Sequence, residues 1–133
     1  MEFHHIGIAC KNIETETRHY ALLNYHKEGD DFIDPNQGVT GRFLVGGGPR
    51  LELLSQIEGS STLGPWLNSG IKMYHHAYLT NNMESAINKL VLQRARLVTP
   101  PTPAVAFNGN NICFLMLPTM SLIELIEMSR NQL

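Results

Sequence analysis

The chain has 133 residues, 43% of them hydrophobic and 17% charged, with a formal net charge of −2; this is the size and make-up of one globular domain, burying about two-thirds of its unfolded surface. Its ten Lys and Arg are scattered, which excludes the electrostatic footprint of a nucleic-acid binder, and no apolar run approaches the roughly 20 residues of a bilayer-spanning helix. Cys10 and Cys113 form no spaced motif and fit a reduced, cytoplasmic chain better than a disulfide framework.

Residues 3–9 alternate between His5, Gly7 and Ala9 on one parity and Ile6 and Ile8 on the other, which predicts a strand with two unlike faces and leaves no room for a signal peptide. Asn12 is a good N-cap, and Ile13, Tyr20 and Leu23 or Leu22 share one face of a helix predicted over about 13–23. Asp30, Asp31, Asp34, Pro35, Asn36 and Gly38 read as a turn-rich stretch, followed by strands at Val39–Val45 and Arg50–Leu54 joined by a Gly46-Gly47-Gly48-Pro49 hairpin turn. No Lys-Ser or Lys-Thr follows the glycines, so they do not read as a phosphate cradle. Residues 59–71 are a linker with a short helix near Leu63–Leu67. A strand at 72–79 comes next, then a helix over about 83–94 capped by Asn81 or Asn82, with Glu84 placed as in a capping box after Asn81. The last strands fall at about 96–99, 111–117 and 121–127, set off by the Pro100-Pro101-Thr102-Pro103 run and the Asn108-Gly109 turn.

The two halves repeat. His4-His5-Ile6-Gly7 is answered by His75-His76-Ala77 in the register that puts His5 on His75 and Asn12 on Asn82, 70 residues apart, and Leu51-Glu52-Leu53 is answered by Ile123-Glu124-Leu125, 72 apart. A chain that repeats at half its length is two copies of one supersecondary unit. We therefore expect an α+β fold of two paired β-α-β-β-β modules, module one at about 1–58, the linker at 59–71 and module two at 72–133, sharing a core as a single domain.

Each module supplies one His and one Glu whose parity opposes their branched apolar neighbours, so all four can line one concave surface. A Glu set between leucines or isoleucines is costly to desolvate as a lone charge, and a divalent cation removes that cost. Two imidazoles and two carboxylates suit one Ni, Co, Zn, Mn or Fe ion, and the lack of thiolates argues against a structural zinc site. His4 and His76 have the opposite parity and read as outer-face or helix-packing residues; His19 and His26 read as surface groups. Trp66 reads as an anchor for the linker, and Arg50, which shares the parity of Glu52, can face the same surface.

The arrangement resembles the vicinal oxygen chelate superfamily over nearly the whole chain, from His5 to Glu127. Its members curl paired β-α-β-β-β modules into a curved, barrel-like, mostly antiparallel sheet around a metal cleft. Within it, His5-Ile6-Gly7-Ile8-Ala9, Ser61-Thr62-Leu63-Gly64-Pro65-Trp66-Leu67 and Tyr74-His75-His76-Ala77-Tyr78 look most like methylmalonyl-CoA epimerases and their glyoxalase-like relatives. The resemblance implies metal ligands His5, Glu52, His75 and Glu124, a homodimer, and a small-molecule carbonyl or thioester substrate.

Three positions depart from the patterns. Ala9 stands where glutathione-dependent glyoxalase I enzymes commonly carry an Arg. The stretch Gly38–Arg42 has no acid where some bacterial epimerases place a base, and Glu52 stands where epimerases often have Gln. The implied reaction is proton abstraction next to a carbonyl, with Glu124 or Glu52 as base. A glyoxalase I-like lyase acting on a hemithioacetal and a non-catalytic small-molecule binding protein are the alternatives. An extradiol dioxygenase is disfavoured by the fourth ligand.

Overall fold

The computed structural model describes residues 1–128 and 132. Eight strands and three α-helices follow one another among them: β1 (Glu2–Ala9), α1 (Ile13–Ala21), β2 (His26–Asp34), β3 (Val39–Val45), β4 (Leu51–Gln56), α2 (Gly64–Ser69), β5 (Met73–Thr80), α3 (Met83–Leu92), β6 (Arg96–Pro103), β7 (Asn111–Met116) and β8 (Leu122–Glu127). The fold is α+β, and each half carries the expected β-α-β-β-β order. By their contacts the residues group into two compact units, one of His5–Tyr74 and one of Met1–His4 with the chain from His75 on.

The first unit orders its strands β2-β3-β4-β1. β2, β3 and β4 pair antiparallel, and β4 pairs parallel with β1. Helix α1 starts where Asn12 Oδ1 accepts the amide of Thr15 at 2.9 Å, satisfying one of the four orphan donors of the first turn. One face of the sheet is apolar: Ile8, Leu44, Leu51 and Leu53 form a buried cluster completed by Ile13 and Tyr20 of the helix. Because side chains alternate along a strand, Glu52 points to the other face. The β3–β4 hairpin needs its glycines, since a Cβ at Gly47 would lie 2.3 Å from the Leu23 carbonyl oxygen.

The second unit repeats this with β5-β8-β7-β6, β5 and β8 being parallel and the other pairs antiparallel. Asn82, not Asn81, caps α3, accepting the Ser85 amide at 2.9 Å, and the Glu127 carboxylate accepts the Met83 amide. The cap is therefore supplied in part by a residue 44 positions along the chain, in place of the local box with Glu84. Met83 and Ala86 pack against Leu115, Ile123 and Leu125.

Two stretches differ from the sequence reading. Residues 26–34 are a strand, not a turn-rich connection: the turn is confined to 35–38, where the fully buried Asp34 accepts the amides of Asn36 and Gln37. β2 is an edge strand broken by an irregularity between Glu28 and Phe32, with Gly29 at φ +69°. Its charged, solvated side chains lack the alternation of a half-buried strand. Similarly, β6 runs on through Pro100, Pro101 and Pro103, which an edge strand tolerates because its outward amides have no ladder partner to lose. The short helix is present as α2, with Pro65 in its first turn and Gly70 ending it at φ +69°.

Candidate metal centre

In the first unit, His5 of β1 and Glu52 of β4 lie on the same face. Register sets Gly7 opposite Glu52, so the ligand-type side chains meet diagonally across a residue with no side chain to obstruct them. His5 is fully buried and Glu52 is 4% exposed, and Nε2 of His5 stands 3.1 Å from Oε1 of Glu52. The second unit reproduces the geometry: Ala77 is opposite Glu124, and Nε2 of the buried His75 stands 3.3 Å from Oε1 of the buried Glu124. Each unit thus has a buried imidazole–carboxylate pair of a kind that can hold a metal ion.

The donor chemistry fits a divalent cation. Two ligand atoms each about 2.0–2.2 Å from one ion, at angles between square and tetrahedral, are about 2.8–3.6 Å apart, and both nitrogen–oxygen separations are compatible with that range.

A third residue, not singled out by the sequence reading, completes each pair. Phe43 on β3 is the cross-strand partner of Glu52 and stands edge-on to His5, with ring centroids 5.3 Å apart. Phe114 on β7 is the partner of Glu124 and stands edge-on to His75 at the same 5.3 Å. The signal was present: Phe43 and Phe114 are 71 residues apart, between the offsets of the His and Glu pairs. Each ring packs edge-on against its imidazole, a contact that favours one orientation of the histidine.

The remaining candidates lie elsewhere. His4 is buried edge-on to Phe107 at 5.5 Å, His76 is half-buried, and His19 and His26 are exposed. Trp66 packs on Tyr74 with centroids 4.6 Å apart, an anchoring contact. Arg50 shares the face of Glu52 and is held by Glu28, Nε to Oε1 at 2.8 Å and NH2 to Oε2 at 3.3 Å. Arg42 is on the opposite, helix-covered face, donating to both oxygens of Asp31, to Glu14 and to Thr17. Those bonds hold Asp31 down to about 2 and the Glu14 carboxyl below its usual range. Burial pushes both thiols up to about 12, Cys10 further raised by Glu16 and Cys113 by Glu124, so neither is a nucleophile at neutral pH.

Residues 4–114 match the family described as the glyoxalase/bleomycin resistance protein/dioxygenase superfamily. The chain belongs to that superfamily. No curated protein sequence matches it. Among solved structures, a hypothetical protein of Bacillus halodurans superimposes with TM-score 0.81 at 24% identity, over 97% of this chain and 95% of that one. The methylmalonyl-CoA epimerase of Mycobacterium tuberculosis gives 0.80 at 22% identity, over 98% and 89%. A variant of the Streptomyces coelicolor methylmalonyl-CoA epimerase in complex with 2-nitronate-propionyl-CoA gives 0.76 at 25% identity, over 95% and 96%. These likenesses establish the fold of this superfamily member. No helix among the described residues is long and apolar enough to cross a membrane.

Proposed function

We propose that the chain is a single-domain, divalent-metal-dependent isomerase that removes a proton next to a carbonyl, with an acyl thioester of the methylmalonyl-CoA kind as substrate. The observation that carries this is the buried His–Glu pair found twice with the same geometry, His5 with Glu52 and His75 with Glu124. In this reading both pairs serve one Ni, Co, Zn, Mn or Fe ion in the cleft of a curved sheet. A bound ion of this kind polarises the carbonyl oxygen and stabilises charge developing on it.

The chain's own groups do the rest. His5 and His75 hold their Nε2 atoms toward the carboxylates, fixed by Phe43 and Phe114. A carboxylate takes the proton, Glu124 in first place and Glu52 in second, because β3 turns no acid toward this face: Val39, Gly41 and Phe43 share it with Glu52. The epimerase structures among the neighbours, one holding a propionyl-CoA analogue, support the thioester. The presence of Glu52 where epimerases often carry Gln supports the second reading, a hemithioacetal isomerase of the glyoxalase I kind.

Purified protein loaded with each candidate metal is expected to wash solvent deuterium into the carbon next to the thioester carbonyl of methylmalonyl-CoA. Glu124→Gln should slow this by about 10²–10⁴-fold, the usual worth of a general base. A parallel assay with methylglyoxal and a thiol decides between the readings. Turnover of the hemithioacetal alone would select the second, and inertness toward both would leave a binding protein.

A further inference from the structure

Beside the start of α1, the first unit holds a cavity of about 230 Å³, with Lys11, Thr15 and Glu16 on one side and Trp66, Ile71 and Lys72 on the other. The chain between β4 and β5 builds its apolar wall. Gly70 ends α2 in the left-handed region at φ +69°, and the Ile71 amide donates to the Trp66 carbonyl at 2.9 Å. This is the six-to-one bond of a Schellman motif, which brings the side chain after the glycine back over the last turn of the helix. Trp66 is held in turn by Tyr74, edge-on at 71° with centroids 4.6 Å apart. Yet Trp66 is only half-buried and Ile71 is 50% exposed, so the wall is rigid and the chain does not fill the space in front of it. The facing wall is charged. Lys72 pairs with Glu16, whereas the exposed Lys11 has no ion-pair partner among the described residues. Two Lys against one Glu leave the cavity with one net positive charge.

We infer that this cavity is a second ligand site, which takes a small aromatic carboxylate with its ring against Trp66 and Ile71 and its acid toward Lys11. Volume sets the size: sites for drug-sized ligands enclose about 300–1,000 Å³, and a smaller space suits one or two rings. The apolar wall selects the ring. A polyhydroxylated ligand laid on it would lose its water without groups to replace it, while an aromatic ring gains an edge-on or offset contact with the indole. The charge selects the acid, because Lys11 offers a carboxylate a partner that the matching amide cannot use, worth about two- to fivefold for an exposed pair. None of the lining residues belongs to either His–Glu pair, so this site is independent of the metal-dependent reading.

Trp66 is the only tryptophan of the chain, so its indole N–H gives a single, assigned cross-peak in the proton–nitrogen correlation spectrum of labelled full-length protein. Phenylacetate, phenylacetamide and cyclohexylacetate are titrated in turn. Phenylacetate is expected to shift that cross-peak saturably with a Kd on the order of 1 mM, the range open to a ligand of this size. The amide should bind about two- to fivefold more weakly, and cyclohexylacetate more weakly than phenylacetate. Lys11→Gln should make acid and amide equal. Ile71→Glu, which removes apolar wall and adds a like charge, should weaken phenylacetate roughly tenfold or more. Both positions are exposed, and circular dichroism checks that each variant is folded. The absence of a saturable shift, equal binding of acid and amide by wild type, cyclohexylacetate binding as tightly as phenylacetate, or affinities that survive both substitutions would each overturn the inference.

Discussion

At the scale of single residues, the chemistry follows from burial. His75 and Glu124 are 1% and 2% exposed, and a carboxylate this deep needs a cationic or hydrogen-bonding partner to keep its charge. Replacing His75 by Ala is therefore expected to abolish stoichiometric uptake of Ni, Co or Zn, measured by elemental analysis, and to remove the rise in Tm on adding metal. At 100 times Kd that rise corresponds to about 2.7 kcal/mol. Unchanged metal content would take His75 out of the ligand set. The thiols follow the same rule with the opposite outcome. Both cysteines are buried and pushed up to about 12, so a disulfide-exchange reagent at pH 8 should find no reactive thiol in native protein and two after denaturation.

At the scale of elements, α1 and α3 are each fastened to their sheet by polar contacts near the N-terminal end. Asn82 caps α3, and its replacement by Ala should cost about 1 kcal/mol, read as a lower denaturant midpoint at unchanged slope. α1 is tied down by Arg42, which joins Glu14 and Thr17 of the helix to Asp31 of β2. The bonds from Arg42 hold Asp31 at about 2, below its ordinary 3.8. A carboxyl depressed by folding contributes stability that is present above its unfolded pKa and lost as pH falls through the folded one. Wild type should therefore lose stability between about pH 4 and pH 2, and Asp31→Asn should flatten that loss in denaturant titrations. The effect is small, because the Asp31 side chain is nearly half exposed and water screens the pair. An identical acid limb in the variant would count against Asp31 as its source.

At the scale of the whole molecule, the proposal that both pairs serve one ion makes a stoichiometric prediction. Native mass spectrometry is expected to find one ion per chain, and His5→Ala and His75→Ala should each remove it entirely. Two ions lost independently would mean that each unit binds its own.

Much of this was readable in the sequence because a strand's period of two is local. The parity of His5 against Ile6 and Ile8, and of Glu52 against Leu51 and Leu53, depends only on backbone alternation, and the near-equal spacing of the His and Glu pairs exposed the repeat without knowledge of any contact. The same locality set the start of α1 at Asn12 and left that of α3 between Asn81 and Asn82, of which the fold uses Asn82. What the tertiary structure alone decided depends on register between strands. β2 was hidden because an edge strand with a solvated face and an irregularity carries no alternation, and β6 because its prolines look like a break until the strand is seen at an edge. The Phe32 ring over Gly41, the grip of Arg50 on Glu28, and the turning of Arg42 toward α1 and away from Glu52 each join residues of different segments of the chain. No periodicity within one segment specifies such pairings, because a shift of one residue between neighbouring strands would reverse every face.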